Sequence, residues 1–314
     1  MEQPVITFIR HNENRTYKVD DEANGNAFLM RIHQPFKPSM AGQQHTYDGL
    51  LSELEMLEAL ALEGQIGLRV QMPIRNQDGD LVTVIEYEGQ SLNCSLLTWL
   101  EGRDLKKEDL VDAEFVTKVG ADIAELHSFF RGYRATGLDK RPSQGIEYNN
   151  KLVITIKRGY ELGLFTASDV QVIEDSIRLI NARLEEQGDT TDYWGLIHGD
   201  LSLGNILVTP DGKMSFIDFG FFGPGYYLLD VAMGAMMVPT EHRGTFLGGY
   251  YGQSHIPQHD MVLIEGFMLI AIIGYYAFQM ENEAVHPWMR ERMPVLCEKY
   301  GLPFLSGERI FYSV

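Results

Sequence analysis

Basic residues are scarce in this chain. Lys and Arg number 26 against 44 Asp and Glu, a formal charge of −18 over 314 residues. A surface of that sign repels a phosphate backbone, so no nucleic acid partner is expected, and a cationic small molecule would be attracted instead. Cysteine is nearly absent. Cys94 and Cys297 cannot build a disulfide framework and have no metal-ligand spacing, so both are expected as reduced packing residues of a cytoplasmic protein. The N-terminus has no basic segment followed by an apolar core, and no signal peptide is read there. Long apolar runs are limited to Met261–Met280, which has one charge, Glu265. Its length would span a bilayer, but no Lys or Arg cluster flanks it to orient a span. It is expected as a buried helix, with no membrane contact. A buried acid is costly unless paired, so Glu265 either binds a protein cation or faces a substrate in an acceptor pocket.

What is present is concentrated in residues 196–220, Leu-Ile-His-Gly-Asp-Leu-Ser-Leu-Gly-Asn-Ile-Leu-Val-Thr-Pro-Asp-Gly-Lys-Met-Ser-Phe-Ile-Asp-Phe-Gly. Two β-prone runs, Ile206 to Val208 and Met214 to Ile217, flank Pro210-Asp211-Gly212-Lys213, a hairpin signal. With Asp211-Gly212 as a two-residue turn, Asn205 and Asp218 would face each other across the hairpin mouth, at the roughly 4.5–5.5 Å of opposed Cβ atoms. An amide oxygen and a carboxylate in that arrangement suit Mg²⁺, which keeps waters and takes substrate phosphates as further ligands. Asp200 precedes Asn205 by five positions.

An Asp, an Asn five residues on and then Asp-Phe-Gly is the order of the kinase catalytic loop and metal-binding motif. With His198-Gly199-Asp200 in place of His-Arg-Asp, the stretch resembles the aminoglycoside phosphotransferase and choline kinase superfamily. Around 218–233 it is most similar to the bacterial homoserine-kinase-type and stress-response-kinase-type branch. The resemblance implies an α+β, bilobal protein-kinase-like fold. A small N-terminal antiparallel β-sheet lobe with one helix would cover 1–97, a hinge 98–102, and a larger, mainly helical lobe 103–314. It further implies ATP- and Mg²⁺-dependent transfer of the γ-phosphoryl group to the hydroxyl of a small molecule of the amino alcohol, amino acid, sugar or aminoglycoside class. A bacterial stress-response-type protein Ser/Thr kinase and a nucleotide-binding pseudokinase are the alternatives. By residue, the resemblance makes Asp200 the catalytic base, Asn205 and Asp218 the metal ligands, and His198 and Asp230 supports of the loop. Arg31 would hold the α- and β-phosphates, and backbone groups of Thr98 and Leu100 would read adenine.

The rest of the chain supports this reading and departs from it in places. Val5 to Ile9, Thr16 to Val19 and Ala27 to Ile32 read as strands, with a further strand over Leu81 to Tyr87. Leu50, Leu54, Leu57 and Ala61 repeat at helical spacing over 46–62, with Gly64 as a stop. Glu53 flanks that apolar stripe and is the expected partner of Arg31. Val116, Val119, Ile123, Leu126 and Phe130 mark a second helix, and Ala167 to Gln187 a third, with Thr166 and Asp169 as a capping box. His127 is assigned no chemistry. The connection Arg10-His11-Asn12-Glu13-Asn14-Arg15, where kinases place a phosphate-covering loop, contains no glycine. Arg31 stands where the family has Lys, and Ser202-Leu203-Gly204 supplies no cation. Asp230 follows Asp218 by twelve positions, too few for a protein-kinase activation segment, and no Ala-Pro-Glu follows.

Overall fold

Alternating β-branched runs and polar turns open the chain, and unbroken apolar periodicity closes it; the computed structural model follows that change of pattern. It describes residues 4–11, 13–35, 42–63, 67–134, 137–187, 190–252 and 256–314. The strands are β1 (Val5–His11), β2 (Arg15–Asp21), β3 (Asn26–Ile32), β4 (Thr83–Tyr87), β5 (Gln90–Thr98), β6 (Arg103–Asp104), β7 (Trp194–Ile197), β8 (Ile206–Val208), β9 (Met214–Phe216) and β10 (Gly223–Tyr226). The main helices are α1 (Tyr47–Leu62), α2 (Ala113–Gly132), α3 (Ile146–Glu161), α4 (Ala167–Gln187), α5 (Tyr227–Met237), α6 (Arg243–Tyr251), α7 (Gln258–Phe278) and α8 (His286–Leu296). Two units are formed, each from several chain segments. The first is Met1–Leu105, Gly132–Pro142 and Gly204–Phe222; the second is Lys106–Arg131, Ser143–Leu203 and Gly223–Val314.

In the first unit an antiparallel sheet of order β1-β2-β3-β5-β4 carries α1. Thr46 caps that helix, its hydroxyl accepting from the Gly49 N–H at 3.1 Å, and Leu50, Leu54 and Leu57 are buried along it. The expected stop at Gly64 lies outside the described residues. A smaller sheet, β6-β8-β9, holds the predicted hairpin, but its register corrects the expected one. Ile206 pairs with Phe216, Leu207 with Ser215 and Val208 with Met214. The turn is therefore the three residues Pro210-Asp211-Gly212, with Gly212 at φ 76°, the left-handed position such loops require. One residue of slip moves every partner, so Asn205 faces Ile217, whose N–H donates to the Asn205 carbonyl at 2.9 Å. Asp218 stands one position beyond.

The second unit is helical around a two-stranded ladder of β7 and β10. Val116, Val119, Ile123, Leu126 and Phe130 of α2 are buried, as their spacing predicts. The capping box at the start of α4 forms: the Asp169 N–H donates to Thr166 Oγ1 at 3.1 Å and the Thr166 N–H to Asp169 Oδ2 at 2.9 Å. Helix α3 is an addition, its buried face made of Asn149, Leu152, Ile156 and Gly159 rather than a continuous apolar stripe. The long apolar run forms α7, the one helix among the described residues long and apolar enough to cross a membrane; Leu263, Ile264, Phe267, Ile270 and Ile273 are buried in the unit's core. Glu265 takes the first of its two expected roles. Its Oε1 accepts from Arg309 Nε at 2.8 Å and from the Ile310 and Phe311 N–H groups, both at 3.0 Å. It clamps the C-terminal segment.

Candidate active site

In the first unit, Arg31 leaves β3 directly toward α1. Its Nη2 donates to Glu53 Oε1 at 2.8 Å, and its Nε to Ser95 Oγ on β5 at 3.2 Å. Both charged side chains are buried, at 7% and 1% exposure, so each offsets the cost of taking the other out of water. The same serine oxygen lies 3.1 Å from His33 Nε2. The serine oxygen accepts from Arg31 and is also in hydrogen-bond range of the imidazole, whose tautomer sets which of that pair donates. Burial, then the Arg31 cation, holds the His33 pKa well below its ordinary value. The unfolded chain binds this proton below about pH 6.5 and the folded chain does not, so stability is lost as pH falls through that value. We expect stability to fall progressively as pH drops below about 6.5, where the unfolded imidazole takes up a proton. Urea unfolding at pH 7.0, 6.0 and 5.0 checks this, with His33→Gln flattening the dependence.

A side chain that carries no signal in the sequence organises the rest of this unit. Arg141 follows Asp139 and Lys140 and precedes Pro142, and it is 2% exposed. Its Nε donates to the Phe222 carbonyl at 2.7 Å, its Nη1 to the Gly49 carbonyl at 2.8 Å, and its Nη2 to the Phe219 and Gly220 carbonyls at 2.8 and 2.7 Å. Glu53 Oε2 lies 3.8 Å from the same guanidinium. The Asp-Phe-Gly segment is thus bound by its backbone to the helix that carries Glu53. Asp218 itself has φ 63°, a left-handed conformation uncommon for a residue with a side chain. Conformations of that kind cost of order 1–3 kcal/mol and persist where surrounding structure imposes them, here through the Arg141 bonds on the next residues. Asp218 Oδ2 accepts from Arg10 Nη2 at 3.3 Å, and Asn205 is 8% exposed.

Asn205 and Asp218 are hard oxygen donors, and a guanidinium already occupies one face of the carboxylate as a cation would. No group of three or more His, Cys, Asp or Glu that could hold a metal occurs among the described residues. This donor set fits a cation that takes its other ligands from phosphate and water, not a metal caged by protein. At the end of β5, the Thr98 N–H donates to the Met72 carbonyl at 2.8 Å and the Thr98 carbonyl accepts from Gln71 Nε2 at 3.4 Å.

In the second unit the His-Gly-Asp turn is fixed from behind. Asp230, fully buried on α5, accepts from the His198 N–H at 2.7 Å and the Gly199 N–H at 2.9 Å. His127 Nε2 donates to the same carboxylate at 3.0 Å, and its Nδ1 lies 2.9 Å from the Tyr250 hydroxyl. Burial alone would raise the Asp230 pKa; the His127 hydrogen bond and charge, with smaller help from His198 and Gly199, outweigh it and hold the carboxyl below its usual range. His127 thus has a role that the sequence did not reveal. Gly199 has φ 77°, and its carbonyl accepts from Gln144 Nε2 at 3.0 Å; an arginine here, as in His-Arg-Asp, would be strained. The next residue, Asp200, is half-buried, and its N–H donates to His198 Nδ1 at 3.3 Å. Past Asp218 the chain enters β10 and then α5 without an intervening activation segment.

A sheet carrying a buried Arg–Glu pair, an Asp-Phe-Gly turn after a short hairpin and a braced His-Gly-Asp turn define a kinase-like phosphotransferase. The chain belongs to the phosphotransferase enzyme family, whose model matches residues 5–261. Among solved structures it is similar to a microcompartment-associated aminopropanol kinase, with a TM-score of 0.76 at 20% identity over 98% of this chain and 94% of that one. It is also similar to the amicoumacin kinase hAmiN in complex with AMP-PNP and Ca²⁺, with TM-score 0.72 at 18% identity over 93% and 87% of the two chains. A Plasmodium vivax ethanolamine kinase matches with TM-score 0.65 at 17% identity over 98% and 83%. These likenesses establish the protein-kinase-like α+β fold. In sequence, an uncharacterized Deinococcus radiodurans protein is 23% identical over 97% of this chain and 84% of its own length. An uncharacterized Mycobacterium tuberculosis protein is 23% identical over 57% of this chain and 38% of its own length.

Proposed function

We propose that the chain transfers the γ-phosphoryl group of ATP to the hydroxyl of a small molecule carrying an amine, with amino alcohols first among the acceptors. The observation that carries this reading is the pair of amide hydrogen bonds from His198 and Gly199 to buried Asp230, which fix the backbone that presents Asp200. Asp200 is the general base: the acceptor oxygen forms its bond to the γ-phosphorus, the bond from that phosphorus to the β-bridging oxygen breaks, and the acceptor proton passes to the Asp200 carboxylate. Asn205 and Asp218 would hold Mg²⁺, which supplies neutralisation of charge on the phosphate chain. Arg31, kept in place by Glu53, holds the α- and β-phosphates as the family's lysine does, with a forked and permanently charged head. The Thr98 carbonyl and the Leu100 N–H would read the adenine edge. Covalent chemistry is a small part of such a reaction; alignment and charge stabilisation are the larger part.

The acceptor class follows from charge. A net −18 favours a cationic acceptor over an anionic one, and the aminopropanol and ethanolamine kinases named above act on amino alcohols by their names. A screen with γ-labelled ATP against amino alcohols, amino acids, sugars and aminoglycosides, run beside whole-lysate protein, tests it. Label in small molecules is the expected result; label confined to protein would favour a protein Ser/Thr kinase instead. For the metal role, Asp218→Ala should weaken Mg-dependent ATP binding by about tenfold or more, roughly 1.4 kcal/mol. Its binding of ATP in excess EDTA should match wild type. Calorimetry with and without Mg²⁺ reads the difference, and an unchanged Mg²⁺ dependence would contradict the assignment.

A further inference from the structure

We infer that Arg10 is the cation that faces the terminal phosphate, supplying the charge that the loop at Ser202 lacks. The inference rests on the ATP-dependent reading above and names a residue which that reading leaves out. Three observations carry it. The first is how β1 delivers the side chain. Phe8 pairs with Tyr17 and Arg10 with Thr16, so Ile9 is an extra residue in the strand. A bulge of this kind re-aims the side chain that follows it, and bulges recur beside active sites. The second is where the side chain ends: Arg10 Nη2 lies 3.3 Å from Asp218 Oδ2, with the two side chains 50% and 34% exposed. A pair so open to water does little for stability, so the fold does not require it. The third is the local charge. A Cβ built on Gly220 would lie 3.6 Å from Asp218 Oδ1 and 4.0 Å from Glu13 Oε2, so two carboxylates flank this glycine. The 10–15 connection has no glycine and 202–204 has no cation. A phosphate chain arriving there would meet two acids and, from this connection, Arg10 as the cation already docked on the Asp-Phe-Gly carboxylate.

Arg10 therefore has two anionic partners in succession. In the structure it rests on Asp218. Asp218 would hold the metal, and the Arg10 guanidinium would then be free to face the terminal phosphate, where negative charge is spread in the transition state. Arginine suits the exchange because its planar fork matches carboxylate and phosphate alike. Since Arg10 serves the terminal phosphate, its loss should separate nucleotides that have that phosphate from those that lack it.

The test is calorimetry of the full chain, wild type against Arg10→Gln and Arg10→Lys, with Mg·ADP, Mg·AMP-PNP and Mg·ADP–aluminium fluoride, beside kcat and KM. For Arg10→Gln we expect Mg·ADP affinity within about twofold of wild type and Mg·AMP-PNP several-fold weaker. The aluminium fluoride complex and kcat should both fall by about 10²-fold, the scale of one preorganised donor on developing charge. Arg10→Lys should recover part of both. Equal losses for ADP and AMP-PNP, or no loss of the aluminium fluoride complex, would overturn the role of Arg10 and leave the phosphotransferase reading standing. Wild-type protein that binds none of the three ligands would overturn that reading, and this inference with it.

Discussion

Asp200→Asn is expected to lower kcat by about 10²–10⁴-fold, the contribution typical of a positioned general base, while leaving Mg-ATP affinity within a factor of two. The separation follows from where the residue stands. Asp200 is half-buried, and its backbone is fixed by the His198 and Gly199 amide bonds to Asp230, not by its own carboxylate. The substitution changes an acceptor of protons into a neutral amide of the same shape and leaves that brace intact. The ligands assigned to metal and phosphates, Asn205, Asp218 and Arg31, are not touched. Steady-state kinetics at saturating nucleotide, with affinity measured separately, resolve the two quantities. Turnover at the wild-type rate would remove Asp200 from the base role. A parallel loss of ATP affinity would move it to nucleotide binding.

The second large effect is structural. Arg141→Leu should destabilise the protein by about 3–5 kcal/mol, since removing one partner from a buried charged network leaves the others uncompensated. The carbonyls of Gly49, Phe219, Gly220 and Phe222 would lose their donors in a place closed to water, and Glu53 would lose one of its two cations. Denaturant unfolding measures the loss. Arg141→Lys is the informative companion. A lysine has three donors on one nitrogen and cannot span four carbonyls as the planar fork does, so it should recover only part of the stability. If the network also holds the strained Asp218 backbone, the Lys variant should bind Mg-ATP more weakly than wild type even where it is folded. Stability within about 0.5 kcal/mol of wild type in Arg141→Leu, the range of an ordinary surface change, would contradict the network.

The sequence made those parts of the fold and candidate site legible that rest on local periodicity or spacing. Glu53 is readable as the partner of Arg31 because helical spacing puts it on the flank of the Leu50, Leu54 and Leu57 stripe, and the 2.8 Å pair forms. The Thr166–Asp169 cap is readable because its hydrogen bonds close within one turn. The hairpin was legible as a hairpin but not in register. A two-residue and a three-residue turn share the Pro-Asp-Gly signal, and only the pairing of Val208 with Met214 separates them. Residues that act through distant backbone left no trace. Arg141 meets carbonyls up to 92 positions away, His127 meets Asp230 across 103, and Arg10 meets Asp218 across 208. A carbonyl acceptor is present at every residue, so it marks none. For Glu265 the sequence stated the need for a partner, a single acid within an apolar helix, but could not say that Arg309 and two amides of the C-terminal segment meet it.

The central claim is that phosphate moves from ATP to a small-molecule hydroxyl. The most direct measurement is a ³¹P NMR time course of Mg-ATP with the purified full-length chain and an amino-alcohol panel, each acceptor in a separate sample. A phosphomonoester resonance growing in equal amount with ADP is expected for at least one acceptor, and none in the Asp200→Asn sample over the same interval. ATP that binds and stabilises the protein while no phosphomonoester forms from any acceptor would contradict it, and would make the chain a nucleotide-binding module in place of a catalyst.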